Sequence, residues 1–219
     1  MDRIQDYKGV IFDLDGTLID SLSDIRKFCN KVLARYDYPT HTLDKYHEWV
    51  GNGARKLVER ALPSGFDPVK FEQIYAEYLH IYEHDEHTES VLYDGIPELL
   101  DRLTEQNIPF AICTNKPQKV MLKTIASYFS KWQFVSAVGQ KDGEPRKPDP
   151  SGALGIAKLM GLSPDQVLFV GDSAVDVKTS NAAGMISICT TKGYETRENI
   201  IAAQPDYMIE EHKELLDLL

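Results

Sequence analysis

Apolar positions along the 219-residue chain follow two different periods. Short runs rich in β-branched and aromatic residues recur at Val10 to Phe12, Pro109 to Cys113, Phe134 to Val138, Val167 to Val170 and Ser187 to Cys189. The pattern predicts a strand at each, with a sixth, shorter one at Tyr207 to Ile209. Between most of these runs the apolar residues return at the three- and four-residue intervals of a helical face. Strand and helix in alternation predict an α/β fold, a doubly wound parallel sheet with helices on both faces. In such a fold ligands bind at the carboxyl ends of the strands, where the strand order reverses.

The first two predicted strands are separated by roughly ninety residues, far more than one crossover helix needs. Within that interval Leu22, Ile25, Cys29, Val32, Leu33 and Tyr36 share a helical face, as do Phe71, Ile74, Tyr75, Tyr78, Leu79 and Tyr82. A third helix is predicted over Leu43 to Leu62, broken or turned at Gly51-Asn52-Gly53. Residues 18–88 therefore read as an all-helical cap inserted into an α/β core made of residues 1–17 and 89–219. Two connections, near Asp20 and Ser90, make a hinge possible.

Composition narrows the range of partners. A net charge of −10 argues against a nucleic-acid backbone or an anionic membrane surface, both of which need a basic patch. Cys29, Cys113 and Cys189 are odd in number and far apart, with neither metal spacing nor a disulfide framework. No leader opens the chain and no apolar run is long enough to span a bilayer, so a cytoplasmic protein is expected. Monomer and homodimer stay open.

The candidate chemistry starts at the end of the first strand, in Asp13-Leu14-Asp15-Gly16-Thr17. A strand alternates its side chains, so Asp13 and Asp15 point one way and Leu14 the other. Gly16 permits a sharp turn. Two crowded carboxylates repel unless a divalent cation or a shared proton relieves them, and a hard ion such as Mg²⁺ suits oxygen ligands.

Three further segments follow predicted strands. Thr114 and Asn115, with Pro117 after them, either bind a phosphate with hydroxyl and backbone N–H groups or simply cap a helix. Lys147, held between prolines in Pro145-Arg146-Lys147-Pro148, is either a solvated charge or a fixed cation for a transferring phosphoryl group. Asp172, in Gly171-Asp172-Ser173, is placed to complete a metal site. Asp176 falls early in the next helix, where it supports Asp172, a metal-bound water or Lys147, or serves only as helix N-terminal charge.

The order and placement of these segments resemble the haloacid dehalogenase superfamily of phosphatases. Its four motifs match Asp13-Leu14-Asp15-Gly16-Thr17, Thr114, Lys147, and Gly171-Asp172-Ser173 with Asp176. The helical insert, Asp20-Ser21, Gly51-Asn52-Gly53-Ala54-Arg55, Thr114-Asn115-Lys116-Pro117 and Asn181-Ala182-Ala183-Gly184-Met185 are most similar to the phosphoglycolate phosphatases.

The resemblance implies Asp13 as nucleophile, forming an aspartyl-phosphate, and Asp15 as acid and base. It implies Mg²⁺ held by Asp13, Asp172 and the backbone carbonyl of Asp15, with Ser173 and Asp176 supporting the site. Lys147 and Thr114 would stabilise the phosphoryl oxygens. The implied substrate is a small phosphorylated metabolite, 2-phosphoglycolate before others. In the cap, Gly51, Asn52, Gly53 and Arg55 are the candidates for reading its carboxylate, the alternative being a helix-breaking turn with a surface arginine.

A phosphatase for another small ester or for pyrophosphate, a sugar phosphomutase, a metal-independent dehalogenase and a non-catalytic module of the same fold are the competing readings. Asp15 together with Asp172 argues against the dehalogenase. The presence of every motif carboxylate argues against the non-catalytic module. His84-Asp85-Glu86-His87 reads as a charged linker, because consecutive residues cannot all converge on a metal. His41, His47 and His80 are expected on cap surfaces, and Cys113 in strand packing.

Overall fold

In a computed structural model of the protein, residue 4 and residues 6–218 are described. The chain begins with β1 (Gly9–Phe12) and the two-residue β2 (Ile19–Asp20). Four helices follow: α1 (Leu22–Arg35), α2 (Leu43–Trp49), α3 (Ala54–Ala61) and α4 (Pro68–His84). The chain then returns through β3 (Val91–Leu92), α5 (Ile96–Glu105), β4 (Phe110–Pro117), α6 (Gln118–Tyr128), β5 (Ala137–Gln140) and α7 (Ser151–Met160). It ends with β6 (Val167–Gly171), α8 (Ala174–Ala183), β7 (Ile186–Thr190), α9 (Arg197–Ala203), β8 (Tyr207–Ile209) and α10 (Leu215–Leu218).

Six strands form one parallel sheet in the order β5-β4-β1-β6-β7-β8. The sheet is buried on both faces. Val10 and Phe12 join Phe110, Ile112, Leu168 and Val170 in a cluster under α5, α6 and α10. Ile11, Ala111, Cys113, Val167 and Phe169 face the other way, onto Ala153, Ile156 and Ala157 of α7 and onto Ala183 and Met185. That two-residue alternation explains why these strands read as continuous apolar runs.

The sheet order also sets where a ligand can sit. From β1 the chain grows outward through β4 and β5, then crosses back to β6 on the other side of β1. Neighbouring crossovers diverge at that reversal and leave a crevice at the carboxyl end of β1. Phe12 registers with Ile112 on one side and Val170 on the other, so the residues just beyond all three strands meet there.

The helical insert has its own apolar cluster, built on Phe28, Leu33, Tyr46, Ile74 and Tyr78, and it touches the remainder through Val120 and Tyr194. The helical stretch over Leu43 to Leu62 is α2 and α3, broken as expected at Gly51-Asn52-Gly53, where Gly51 and Gly53 take φ of +99° and +83°. The two connections are not bare linkers. β2 and β3 pair antiparallel, Ile19 with Leu92 and Asp20 with Val91. Leu18 and Ile19 pack into the sheet-side cluster, whereas packing among the helices starts at Leu22.

Asp24, early in α1, is 1% exposed and binds the returning chain. Its carboxylate accepts from the backbone N–H groups of Thr88, Glu89 and Ser90 and from the Ser90 hydroxyl. Such a buried carboxylate needs partners of this kind.

Candidate active site

Asp13 lies one residue beyond β1, and its N–H donates to the Val170 carbonyl at 2.8 Å, so the sheet holds the peptide that carries this carboxylate. The chain then folds over itself, with the Leu14 carbonyl accepting from Leu18 N at 2.9 Å. Gly16 sits at φ +88°, and a Cβ there would stand 2.2 Å from an oxygen of Asp172. The turn is therefore closed to any larger residue. Leu14 is buried in the sheet-side cluster, while Asp13 and Asp15 both line one cavity of about 430 Å³.

Lys147 reaches into the same space and is 6% exposed. Its ammonium donates to Asp13 Oδ1 at 2.8 Å and to Asp176 Oδ1 at 2.5 Å. Burial alone would lower its pKa, but the carboxylates of Asp13 and Asp176 overcome that and hold it above the ordinary lysine range. Burial pushes Asp13 up to about 6, against the pull of Lys147. Asp172 is driven well above the usual carboxylate range by burial and by its acidic neighbours Asp176 and Asp13.

Oxygens of Asp13, Asp172 and Asp176 all lie within 4.8 Å of one another, and no other such group of metal-ligating side chains occurs among the described residues. Three buried carboxylates against one ammonium leave an excess of negative charge. An all-oxygen donor set of this charge fits a hard divalent cation.

The remaining contacts explain how the cluster is held. Asp176 Oδ2 accepts from Ser173 Oγ at 2.6 Å and from the N–H groups of Ser173 and Asp172, closing the turn from β6 into α8. Gly171 is required beside it, since a Cβ there would lie 2.3 Å from the Asp176 Cβ. Asp176 is thus both a brace for this turn and a member of the acidic cluster. Asp172 Oδ2 accepts from the Tyr194 N–H at 2.7 Å, and the preceding Gly193 leaves room for it. Tyr194 also donates to Asp20 at 3.0 Å and accepts from the Ser21 N–H at 2.8 Å.

On the opposite wall, Thr114 and Asn115 belong to the end of β4 rather than to a helix start, because the strand continues through Pro117. Asn115 Nδ2 donates to the Lys147 carbonyl at 3.1 Å, which fixes the lysine loop from the side, and its buried Oδ1 has no partner. Lys116 is the residue that pattern reading did not single out. Its side chain is 1% exposed; its ammonium lies 2.6 Å from Asp15 Oδ1 and also bonds the Tyr82 hydroxyl of α4. Ser21 Oγ donates to the same Asp15 oxygen at 2.5 Å. A lysine beside Thr-Asn looks solvent-facing until the fold sets an aspartate a hundred positions away next to it.

In the helical layer, Gly51, Asn52 and Gly53 line the cavity as expected, but Arg55 does not. Its guanidinium pairs with both oxygens of Glu72 and stacks over Phe71 and Tyr75, 4.8 and 5.1 Å from their ring centres. The arginine facing the cavity is Arg60, one and a half turns further along α3. His47 is exposed on the helical layer as expected, where it also lines the cavity, edge-on to Tyr194. The His84 to His87 segment binds no shared centre: Asp85 pairs with Lys31, and His87 packs on Phe28 and bonds the Tyr82 carbonyl.

A crevice at the carboxyl end of a parallel sheet, lined by buried aspartates and a buried lysine, defines a phosphotransfer hydrolase of the α/β type. The chain belongs to the haloacid dehalogenase-like hydrolases, whose family model matches residues 10–190, and it is a phosphoric monoester hydrolase of that family.

Among its relatives is the phosphoglycolate phosphatase of Pseudomonas putida, 35% identical over 94% of this chain and 78% of the relative. The phosphoglycolate phosphatase of Aliivibrio fischeri is 34% identical over 98% of this chain and 97% of its own. The crystal structure of a predicted phosphoglycolate phosphatase from Haemophilus somnus superposes with a TM-score of 0.90, at 28% identity and 98% coverage of both chains. No helix among the described residues is long and apolar enough to cross a membrane.

Proposed function

We propose that the protein hydrolyses 2-phosphoglycolate in a Mg²⁺-dependent reaction, through an aspartyl-phosphate formed on Asp13. The relatives named for that substrate support the choice of ester. The observation that carries the mechanism is that Asp13 and Asp15 face one cavity from the same turn but have different partners. Asp13 sits in the buried acidic cluster against Lys147, and Asp15 is held apart by Ser21 and Lys116.

Asp13 attacks phosphorus, forming the acyl phosphate as the bond to the glycolate oxygen breaks. Asp15 delivers a proton to that leaving oxygen. It then takes one from the water that attacks the acyl phosphate, releasing phosphate and restoring Asp13. Lys147 and Thr114 stabilise the equatorial oxygens during both transfers. Ser21 and Lys116 orient Asp15 toward the bond being broken. When bound by Asp13, Asp172 and the Asp15 backbone carbonyl, with Asp176 in reach, Mg²⁺ supplies charge compensation between the nucleophile and the phosphate dianion. The helical segment 18–88 acts as a cap over the core, excluding bulk water and contributing to substrate choice through its α2 to α3 turn. The buried, unpaired thiols of Cys29, Cys113 and Cys189 support a cytoplasmic site of action.

Phosphate release from 2-phosphoglycolate, sugar phosphates, nucleotides and pyrophosphate tests this, with kcat/KM measured for each. The expected result is the highest value for 2-phosphoglycolate, loss of turnover in excess EDTA and its return with Mg²⁺. Asp13→Asn should lower kcat by about a thousandfold or more with an unchanged far-UV spectrum. Parental turnover in that variant would remove the covalent mechanism, and a higher kcat/KM on another ester would move the substrate.

A further inference from the structure

Three cations line the cavity, and two of them are already neutralised: Lys147 by Asp13 and Asp176, and Lys116 by Asp15. Arg60 makes no ion pair with a carboxylate among the described residues, and the nearby Glu59, which feels its charge, is paired with Lys56. Arg60 donates Nη1 to the Trp49 carbonyl at 2.6 Å and Nη2 to Asn52 Oδ1 at 2.7 Å. Both acceptors are uncharged: Trp49 ends α2, and Asn52 lies in the turn from α2 to α3. A guanidinium fork matches the two oxygens of one planar anion better than two separate neutral oxygens. The Asn52 amide oxygen therefore stands where one oxygen of a carboxylate would bind.

The same turn is held next to the phosphoryl end of the cavity. A Cβ on Gly53 would lie 3.6 Å from the Asn115 carbonyl, so the turn lies against the strand end that carries Thr114 and Asn115. Arg146, the neighbour of Lys147, donates to the Asn52 carbonyl at 3.2 Å from the sheet side and fixes the turn in that position. Around Gly51 the space is open, with nothing within 4 Å of an added Cβ. Asn52 itself is only partly buried, which leaves its side chain room to turn away from the guanidinium. The acidic residue nearest in sequence on the cavity wall, Glu48, is paired with Lys45 and does not neutralise Arg60.

We infer that Arg60 is the residue that recognises the carboxylate of the substrate, displacing the Asn52 amide from its guanidinium, an assignment that rests on 2-phosphoglycolate as that substrate. Arg55 has no part in it, since Glu72 already occupies its fork.

The test compares 2-phosphoglycolate with ethyl phosphate, the ester in which a methyl group replaces the carboxylate, in the parental enzyme and in Arg60→Gln, Arg60→Lys and Arg55→Gln. The parental enzyme should prefer 2-phosphoglycolate. Arg60→Gln should cut that preference by about ten- to a hundredfold, chiefly through KM, which is the range for losing charge-assisted hydrogen bonds. Arg60→Lys keeps the charge without the planar fork and should recover part of the preference. Arg55→Gln should keep the parental ratio within about twofold, as an exposed salt bridge has little leverage. An undiminished preference in both Arg60 variants, folded as judged by thermal midpoint, overturns the assignment and leaves the substrate standing. No preference in the parental enzyme itself overturns the substrate, and the carboxylate reader with it.

Discussion

Lys116 and Asp15 form an ion pair with little solvent around it, and Tyr82 reaches the same ammonium from α4. Removing one member of such a pair strands the other, which costs far more than the pair contributes relative to an apolar replacement of both. Lys116→Met should therefore lower unfolding stability by about 3 kcal/mol. It should also reduce kcat, as Asp15 keeps only Ser21 to orient it; urea midpoints and steady-state rates check the two effects. Asp172 carries the opposite sign. Its folded pKa is raised by burial and by Asp176 and Asp13, so at neutral pH the ionised group works against folding when no cation is bound. For a raised carboxylate the folded state binds more protons, and stability grows as pH falls through the folded pKa towards the ordinary carboxylate value. In EDTA the parental protein should gain stability as pH falls from about 7 to about 4, through the Asp13 value of about 6 and down to the ordinary carboxylate range, and Asp172→Asn should flatten that gain. His87 and His212, both lowered by burial, act in the other direction below their ordinary 6.5 and cancel when the two proteins are compared at each pH.

The informative elements are the turns that leave strand ends. From β6 into α8 the chain has no room for a Cβ at Gly171, because Asp176 folds back over it to hold Ser173. Gly171→Ala should cost about 1–3 kcal/mol, the range for overpacking, and should displace Asp176 from Lys147. Calorimetry would show a lowered midpoint together with weaker cation-induced stabilisation. If the midpoint falls but the response to cation is parental, the brace and the acidic cluster are independent. The pattern of apolar residues located β1, β4, β6 and β7 because both faces of each are buried, and the edge strand β8 through its buried Ile209. It placed the start of β5 too early, at Phe134. That ring packs edge-on to Phe110 and Phe129, and the regular ladder starts at Ala137. The pairing of β2 with β3 leaves no signal in the sequence, since two-residue strands have no period.

At the scale of the whole molecule, an α/β sheet and a helical layer each bury their own apolar cluster, and the cavity lies between them. The layers meet along α4 and α6, where Lys123 donates to the Asp85 carbonyl, Tyr128 donates to the His87 carbonyl at 2.7 Å and Lys119 pairs with Glu83. Val120 and Tyr194 join the helical cluster, Lys116 binds Tyr82, and Arg146 binds Asn52.

What the sequence determined by itself was the succession of strands, the long helical insert and the carboxylates at strand ends, because period and turn chemistry are local properties. Asp13, Asp15, Lys147, Asp172 and Asp176 were legible for that reason. Only the tertiary structure decided the partners of those residues. Lys116 with Asp15 and Tyr194 with Asp172 depend on side chains from distant segments meeting in one low-dielectric space, and only the packing of α3 shows that Arg55 turns to Glu72 and Arg60 to the cavity. On a helix such as α3, a few residues along the chain change the direction of a guanidinium from the cavity to the solvent.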